Sequence, residues 1–132
     1  MNLNIYSNKK LSLTEKELLK RVEIKRINNI NYGDKYVGKE SNEFFNGYYK
    51  AMSGIIYETI PIEIDDQMTF DKYVNIYKER LNKSLMCFTL IKSFFESEKN
   101  KPTVDEIRGF NQFLNDNNAI FDNIFNGKKF IF

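Results

Sequence analysis

Between Thr69 and about Glu98 the chain keeps apolar residues at helical spacing for about eight turns. Phe70, Tyr73, Val74, Tyr77, Leu81, Leu85, Phe88 and Phe95 form the stripe, and Ile76, Leu90, Ile91 and Phe94 widen it. Thr69 is a good N-cap and Asp71 falls in the first turn. The spacing predicts one helix over 69–98, about 45 Å long, with more than one face buried. A chain of 132 residues fits a single domain, 1–132, and a rod of that length must be its spine. The fold class that follows is mainly α, four to five helices around the long central one. Short strands at the termini and near 60–64 would make it α+β.

The flanking segments supply the other elements. Ser12 to Ile27 reads as a helix, with Ser12–Glu15 and Thr14–Glu17 both at capping-box spacing. Its apolar side is read as Leu18, Leu19, Val22 and Ile27. Residues 42–58 carry a hairpin signal, Asn46-Gly47, inside a helical one. Phe44, Phe45, Tyr48, Tyr49, Met52, Ile55 and Ile56 keep helical rather than alternating spacing, so a helix is expected. Gly47 and Gly54 would share a face there, open to close approach by another helix. Pro102-Thr103-Val104-Asp105-Glu106 opens a further helix through Leu114. A short helix through Ile120 and Ile124 then stops at Gly127, followed by a strand over 128–132. An Asn126-Gly127 hairpin is the competing reading of that end. Met1, Leu3 and Ile5 alternate with polar residues as in a strand, and Ile60, Ile62 and Ile64 as in a connector or edge strand.

Composition bounds the chemistry. The chain has no histidine, so imidazole-based triads and dyads are excluded. It lacks the glycine-rich phosphate loops and any Cys/His zinc pattern. No stretch approaches the length of a membrane span. The single cysteine, Cys87, lies in an apolar helix and reads as an inert thiol in a cytoplasmic protein. No cofactor is implied. Phe, Tyr, Ile, Asn and Lys are the residues of A/T-rich codons, and 12 Phe and 8 Tyr stand against few alanines.

Charge is segregated. Residues 1–50 carry +4, 51–71 carry −5, 72–101 carry +4 and 102–132 carry −1. Lys9, Lys10, Lys16, Lys20, Arg21, Lys25 and Arg26 are candidates for contact with nucleic-acid phosphates, although glutamates are interleaved among them. Neither the first helix nor the 102–114 helix is followed by a turn and recognition helix. Glu58, Glu63, Asp65, Asp66 and Asp71 form a candidate acidic surface. Glu63, Asp65 and Asp66 are the sole nucleus for a divalent metal, without the spacing of a known loop. Tyr32, Tyr36, Tyr48, Tyr49 and Tyr57 are candidates for a protein interface, where half-wet aromatics are favoured.

The resulting expectation is a non-enzymatic protein-binding module. One form is a phage- or plasmid-encoded modulator or inhibitor of a host macromolecular machine. The alternatives are a DNA- or RNA-binding accessory protein using the basic first helix, and a metal-dependent enzyme. Another protein is the expected partner, nucleic acid the second, and a homo-oligomer the remaining one; Phe130-Ile131-Phe132 is expected to dock on this chain's own core, with another subunit as the alternative.

Overall fold

The computed structural model describes residues 9–131, and for 126–131 the backbone alone. Among the described residues there are five α-helices: α1 Leu13–Asn28, α2 Asn42–Ser53, α3 Phe70–Phe95, α4 Val104–Asp116 and α5 Asn118–Ile131. Two 3-10 turns, Asp34–Tyr36 and Ile56–Thr59, shape the connections around α2. Among the described residues the only β pairing is an isolated bridge between Lys10 and Thr69. The mainly helical class is therefore correct, and the 60–64 segment is an extended connector rather than a strand. The reading of residues 1–6 as a strand lies outside the described residues.

The helix starts follow the capping chemistry. Ser12 caps α1 in a full box with Glu15, leaving the Thr14–Glu17 alternative unused. Thr103 and Glu106 do the same for α4. Ser41 and Thr69 cap α2 and α3 through single bonds to the backbone N–H three residues on.

Helix α2 settles the ambiguity of residues 42–58. Phe44, Tyr48 and Ala51 are buried on one side of it, with Ile55 just beyond its end. Gly47 makes the helical choice profitable despite its low propensity. A Cβ there would lie 1.8 Å from the Glu106 carbonyl oxygen of α4. The relation is reciprocal, because a Cβ on Gly109 would lie 1.8 Å from the Phe44 carbonyl oxygen. Two glycines thus bring α2 and α4 together antiparallel, backbone on backbone. Gly54 faces a different element, Phe88 of α3. The expected shared glycine face is therefore split between two helices.

Helix α3 is the spine. Its Phe88 ring meets Phe110 of α4 and Phe121 of α5, with centroids 5.9 and 4.6 Å away. Phe95 stacks on Phe110 at 4.3 Å. Leu81 and Leu85 complete the buried side. A smaller cluster at the other end joins Leu11, Ile62, Ile64 and Met68.

Three expectations need correction. Helix α1 does not bury Leu18 and Val22, which stand exposed together with Ile24. It turns Leu19, Glu23, Arg26 and Ile27 inward, with Ile30 beyond its end, because Glu23 and Arg26 satisfy one another there. Helix α3 does not bury Leu90 and Phe94. Helix α5 does not stop at Gly127. It continues to Ile131, which replaces both the expected strand and the Asn126-Gly127 hairpin. One glycine costs a helix only about 1 kcal/mol, and Phe121 and Ile124 already fix the packing of this one. The side chains of Phe130, Ile131 and Phe132 lie outside the described residues.

Candidate functional site

The polar residues of the interior hold structure. Glu23 is almost fully buried on α1. It accepts from Arg26 at 2.8 Å, from the Ile62 backbone N–H at 2.8 Å and from the Tyr73 hydroxyl at 2.9 Å. Burial pushes its carboxyl pKa up, but these donors outweigh burial and hold it below the ordinary glutamate value. Burial and the bond to Glu23 push the Tyr73 hydroxyl up in turn. Arg26 also reaches Glu58 and the carbonyls of Glu58 and Ile60. Glu58 accepts from Ser84 Oγ of α3 at 2.9 Å.

A second hub sits at the end of α4. Asp116 accepts from Tyr36 at 2.7 Å, Tyr48 at 3.1 Å and Gln112 at 2.8 Å, with Lys35 at 3.5 Å. Burial again opposes its ionisation, and the three donors overcome it. Asn117 beside it is buried and fully used: it bonds Asn31 in both directions and the Phe113 carbonyl.

These two hubs absorb much of what the sequence offered as sites. Arg26 is inside, spent on carboxylates and carbonyls, so it is removed from the phosphate-contact set. Lys16 pairs with Asp66 at 3.3 Å and Lys20 with Glu17 at 3.5 Å. Lys10 lies in the bridge to Thr69, Lys9 is exposed beside it, and Arg21 and Lys25 are exposed on α1. Glu58 is buried and is no part of an acidic surface. Glu63, Asp65, Asp66 and Asp71 are exposed. Asp65 holds the turn at Gln67 N–H, and Asp71 lies within reach of Asn75. Among the described residues no three His, Cys, Asp or Glu side chains gather into a metal-holding group, which corrects the Glu63–Asp65–Asp66 nucleus.

The tyrosines divide likewise. Tyr48 is fully buried, stacks on Phe44 and meets Phe113 edge-on in the core, so it is corrected from interface to core. Tyr36 is half-buried on Asp116, and Tyr32 is half-buried. Tyr49 is exposed and stacked on Phe45. Tyr57 is exposed under Lys83, whose Nζ lies 5.6 Å from the ring. The tyrosines do not form one patch.

Two residues of the exposed row on α3, Leu90 and Phe94, read as core by their spacing. Met86, Leu90 and Phe94 are 60%, 70% and 60% exposed. They lie four residues apart on α3 and make one apolar ridge. Lys83, above Tyr57, continues it toward the Ile56–Thr59 turn. Beside the ridge, between α3 and α5, runs an open groove of about 580 Å³. Its floor is Phe88, Leu114, Phe121 and Phe125. Its rim carries the Lys92–Glu96 ion pair, 3.1 Å, and Asp122. The volume is in the range of ligand pockets, and Thr89, Ser93 and Asn118 add polar groups to the aromatic floor and charged rim. Chemically it can take up an apolar side chain or helix edge. Periodicity alone could have flagged the ridge: on a helical wheel, Met86, Leu90 and Phe94 lie opposite Leu81, Leu85 and Phe88. Cys87, next to the ridge, is half-buried, its Sγ 3.8 Å from the Ser53 carbonyl.

No helix of the described residues is long and apolar enough to cross a membrane. No protein-family model matches the chain, and no curated protein or solved structure is detectably similar to it.

Proposed function

We propose that the protein is a non-enzymatic protein-binding module whose docking surface is the α3 ridge with the adjoining groove. The observation that carries this reading is the exposure of Met86, Leu90 and Phe94 along one face. Three large apolar side chains in a row are more than scattered surface hydrophobics, and a contiguous apolar patch of this kind marks an interaction site. A ridge at i, i+4 and i+8 beside an aromatic slot is the geometry by which helices recognise helices.

The test places a photo-crosslinking benzoylphenylalanine at Leu90, at Phe94 and, as control, at exposed Asn111 of α4. After irradiation in a cell extract, mass spectrometry identifies the adducts. One adduct of discrete mass, shared by positions 90 and 94 and absent at 111, is expected. Equal adducts at all three positions, or none at any, overturns the reading.

A further inference from the structure

We infer that α1 is a strap that opens and closes over α3 as a unit while α2 to α5 stay folded, with the Glu23–Arg26 pair as its latch. The strap concerns another face of α3 than the ridge and does not depend on what docks there.

Little apolar surface holds α1 down. Of its apolar residues only Leu19 and Ile27 turn inward, and neither belongs to the main core, which is drawn from α2 to α5 and their flanking turns. Leu19 reaches the smaller cluster. Leu13, Leu18, Val22 and Ile24 stand in solvent. Among the described residues no helix packs along α1 as α4 packs along α2. Segments with few buried apolar contacts are those that open locally at low free energy.

What holds α1 is polar and concentrated in one turn. Glu23 bonds the Ile62 N–H and Tyr73, and Arg26 bonds Glu58 and the Ile60 carbonyl. The Lys16–Asp66 pair also ties α1 to the connector, but its carboxylate is 95% exposed, where a pair adds little.

Both ends of the strap have fixed points. Past α1 the chain is pinned to the core at Asn31. Its N–H donates to Asn117 Oδ1 at 2.8 Å, its Nδ2 to the Asp116 carbonyl at 2.8 Å, and its carbonyl accepts from Asn117 Nδ2 at 3.2 Å. None of these bonds involves α1, so they survive its release, and Asn29 and Ile30 become the hinge. Ahead of α1 the Leu11 N–H donates to the Met68 carbonyl at 3.3 Å, beside the Lys10–Thr69 bridge. Released, α1 uncovers Tyr73, Glu58, the Ile62 N–H and Tyr77, which lines a small cavity with Arg26. The latch thus makes that surface conditional, whereas the ridge is permanent.

Hydrogen exchange of the full chain at neutral pH, without and with sub-denaturing urea, reads the opening residue by residue. An isolated helix of 16 residues is marginal in water, so a released α1 loses its amide protection. The amides from Leu19 to Asn28 should share one protection and one urea slope. They should exchange at least about 100-fold faster than those of Phe88 and Phe113. Glu23→Gln should speed the α1 amides about ten-fold. Glu23→Ala should bring them near unfolded-chain rates while Phe88 and Phe113 stay protected at least about 100-fold more.

One common protection for α1, α3 and α4 in the native chain overturns the inference. So does a Glu23→Ala chain in which α2 to α5 unfold along with α1. An α1 rate indifferent to both substitutions overturns it too, because the latch would then lie elsewhere.

Discussion

Helices α2 and α4 meet backbone to backbone, whereas α1 reaches the rest of the chain through charged side chains. At the first contact Gly47 and Gly109 each leave room for the other helix's carbonyl, and Phe44, Tyr48, Phe110 and Phe113 fill the space around it. At the second, Glu23 and Arg26 occupy positions on α1 where apolar residues would ordinarily sit, and they bind Ile62, Tyr73, Glu58 and Ile60. The first contact depends on shape and tolerates no added volume. The second depends on complete pairing and tolerates no missing partner.

The largest loss is expected from breaking the pairing. Glu23→Ala leaves the Ile62 N–H, the Tyr73 hydroxyl and the Nε edge of the Arg26 guanidinium unmatched in the interior, while Arg26 keeps its bonds to Glu58 and the Ile60 carbonyl. Removing one member of a buried pair costs about 3–5 kcal/mol, read from the urea midpoint. Glu23→Gln keeps an acceptor oxygen and should lose clearly less. A loss under about 1 kcal/mol for Glu23→Ala would mean that Leu19 and Ile27 hold α1 alone, and the contrast between the two contacts would vanish.

Adding volume at the glycine crossing comes next. Alanine is about 1 kcal/mol better than glycine in a helix, yet Gly47→Ala should destabilise by about 2–3 kcal/mol, because the two backbones must part. Gly109→Ala should behave alike. The double substitution should cost less than the sum, since one separation of the helices relieves both clashes. Neutral single substitutions would show that the crossing has slack.

These two contacts also mark how far the sequence was readable. The long helix, the capping boxes at Ser12 and Thr103 and the helical choice for residues 42–53 follow from local rules, because caps and 3.6-residue spacing act within a few positions. The inward face of α1 does not. A buried Glu–Arg pair reads as a solvated helix face until its distant partners, Ile62 and Tyr73, are known. Tyr48 and Glu58 went astray for the same reason: their partners, Asp116 and Ser84, are 68 and 26 residues away. Leu90 and Phe94 of the candidate docking ridge read as core, because spacing shows that a face is apolar and not whether another element covers it.

Acid should loosen both regions, more gently than either substitution. Glu23 and Asp116 have folded-state pKa values below their ordinary ones. Their contribution is present above the unfolded carboxylate values, about 4, and is lost as pH falls through the folded ones. At the alkaline end Tyr73 and Tyr48 are raised, so their contribution holds below about pH 10 and is lost as pH rises through the folded values. Glu23→Gln should flatten the acid slope of α1 amide protection in hydrogen exchange, and Asp116→Asn that of α4. A common slope for both helices in both variants would show that the two contacts unfold as one unit.

The smallest effect on stability belongs to the ridge. Leu90→Gln exchanges one good helix former for another on an exposed position, so the denaturation midpoint should move by less than about 0.5 kcal/mol. The same change should abolish the photo-adducts of position 94. That dissociation of stability from association separates a docking surface from a core. Glu23 and Gly47 hold the fold and should alter binding only by altering folding, whereas Leu90 should alter binding alone. If Leu90→Gln instead destabilised the chain by the 2–5 kcal/mol typical of a buried leucine truncation, Leu90 would be covered in solution by this chain's own residues. The ridge would then join α2 and α4 on the packed side of the comparison.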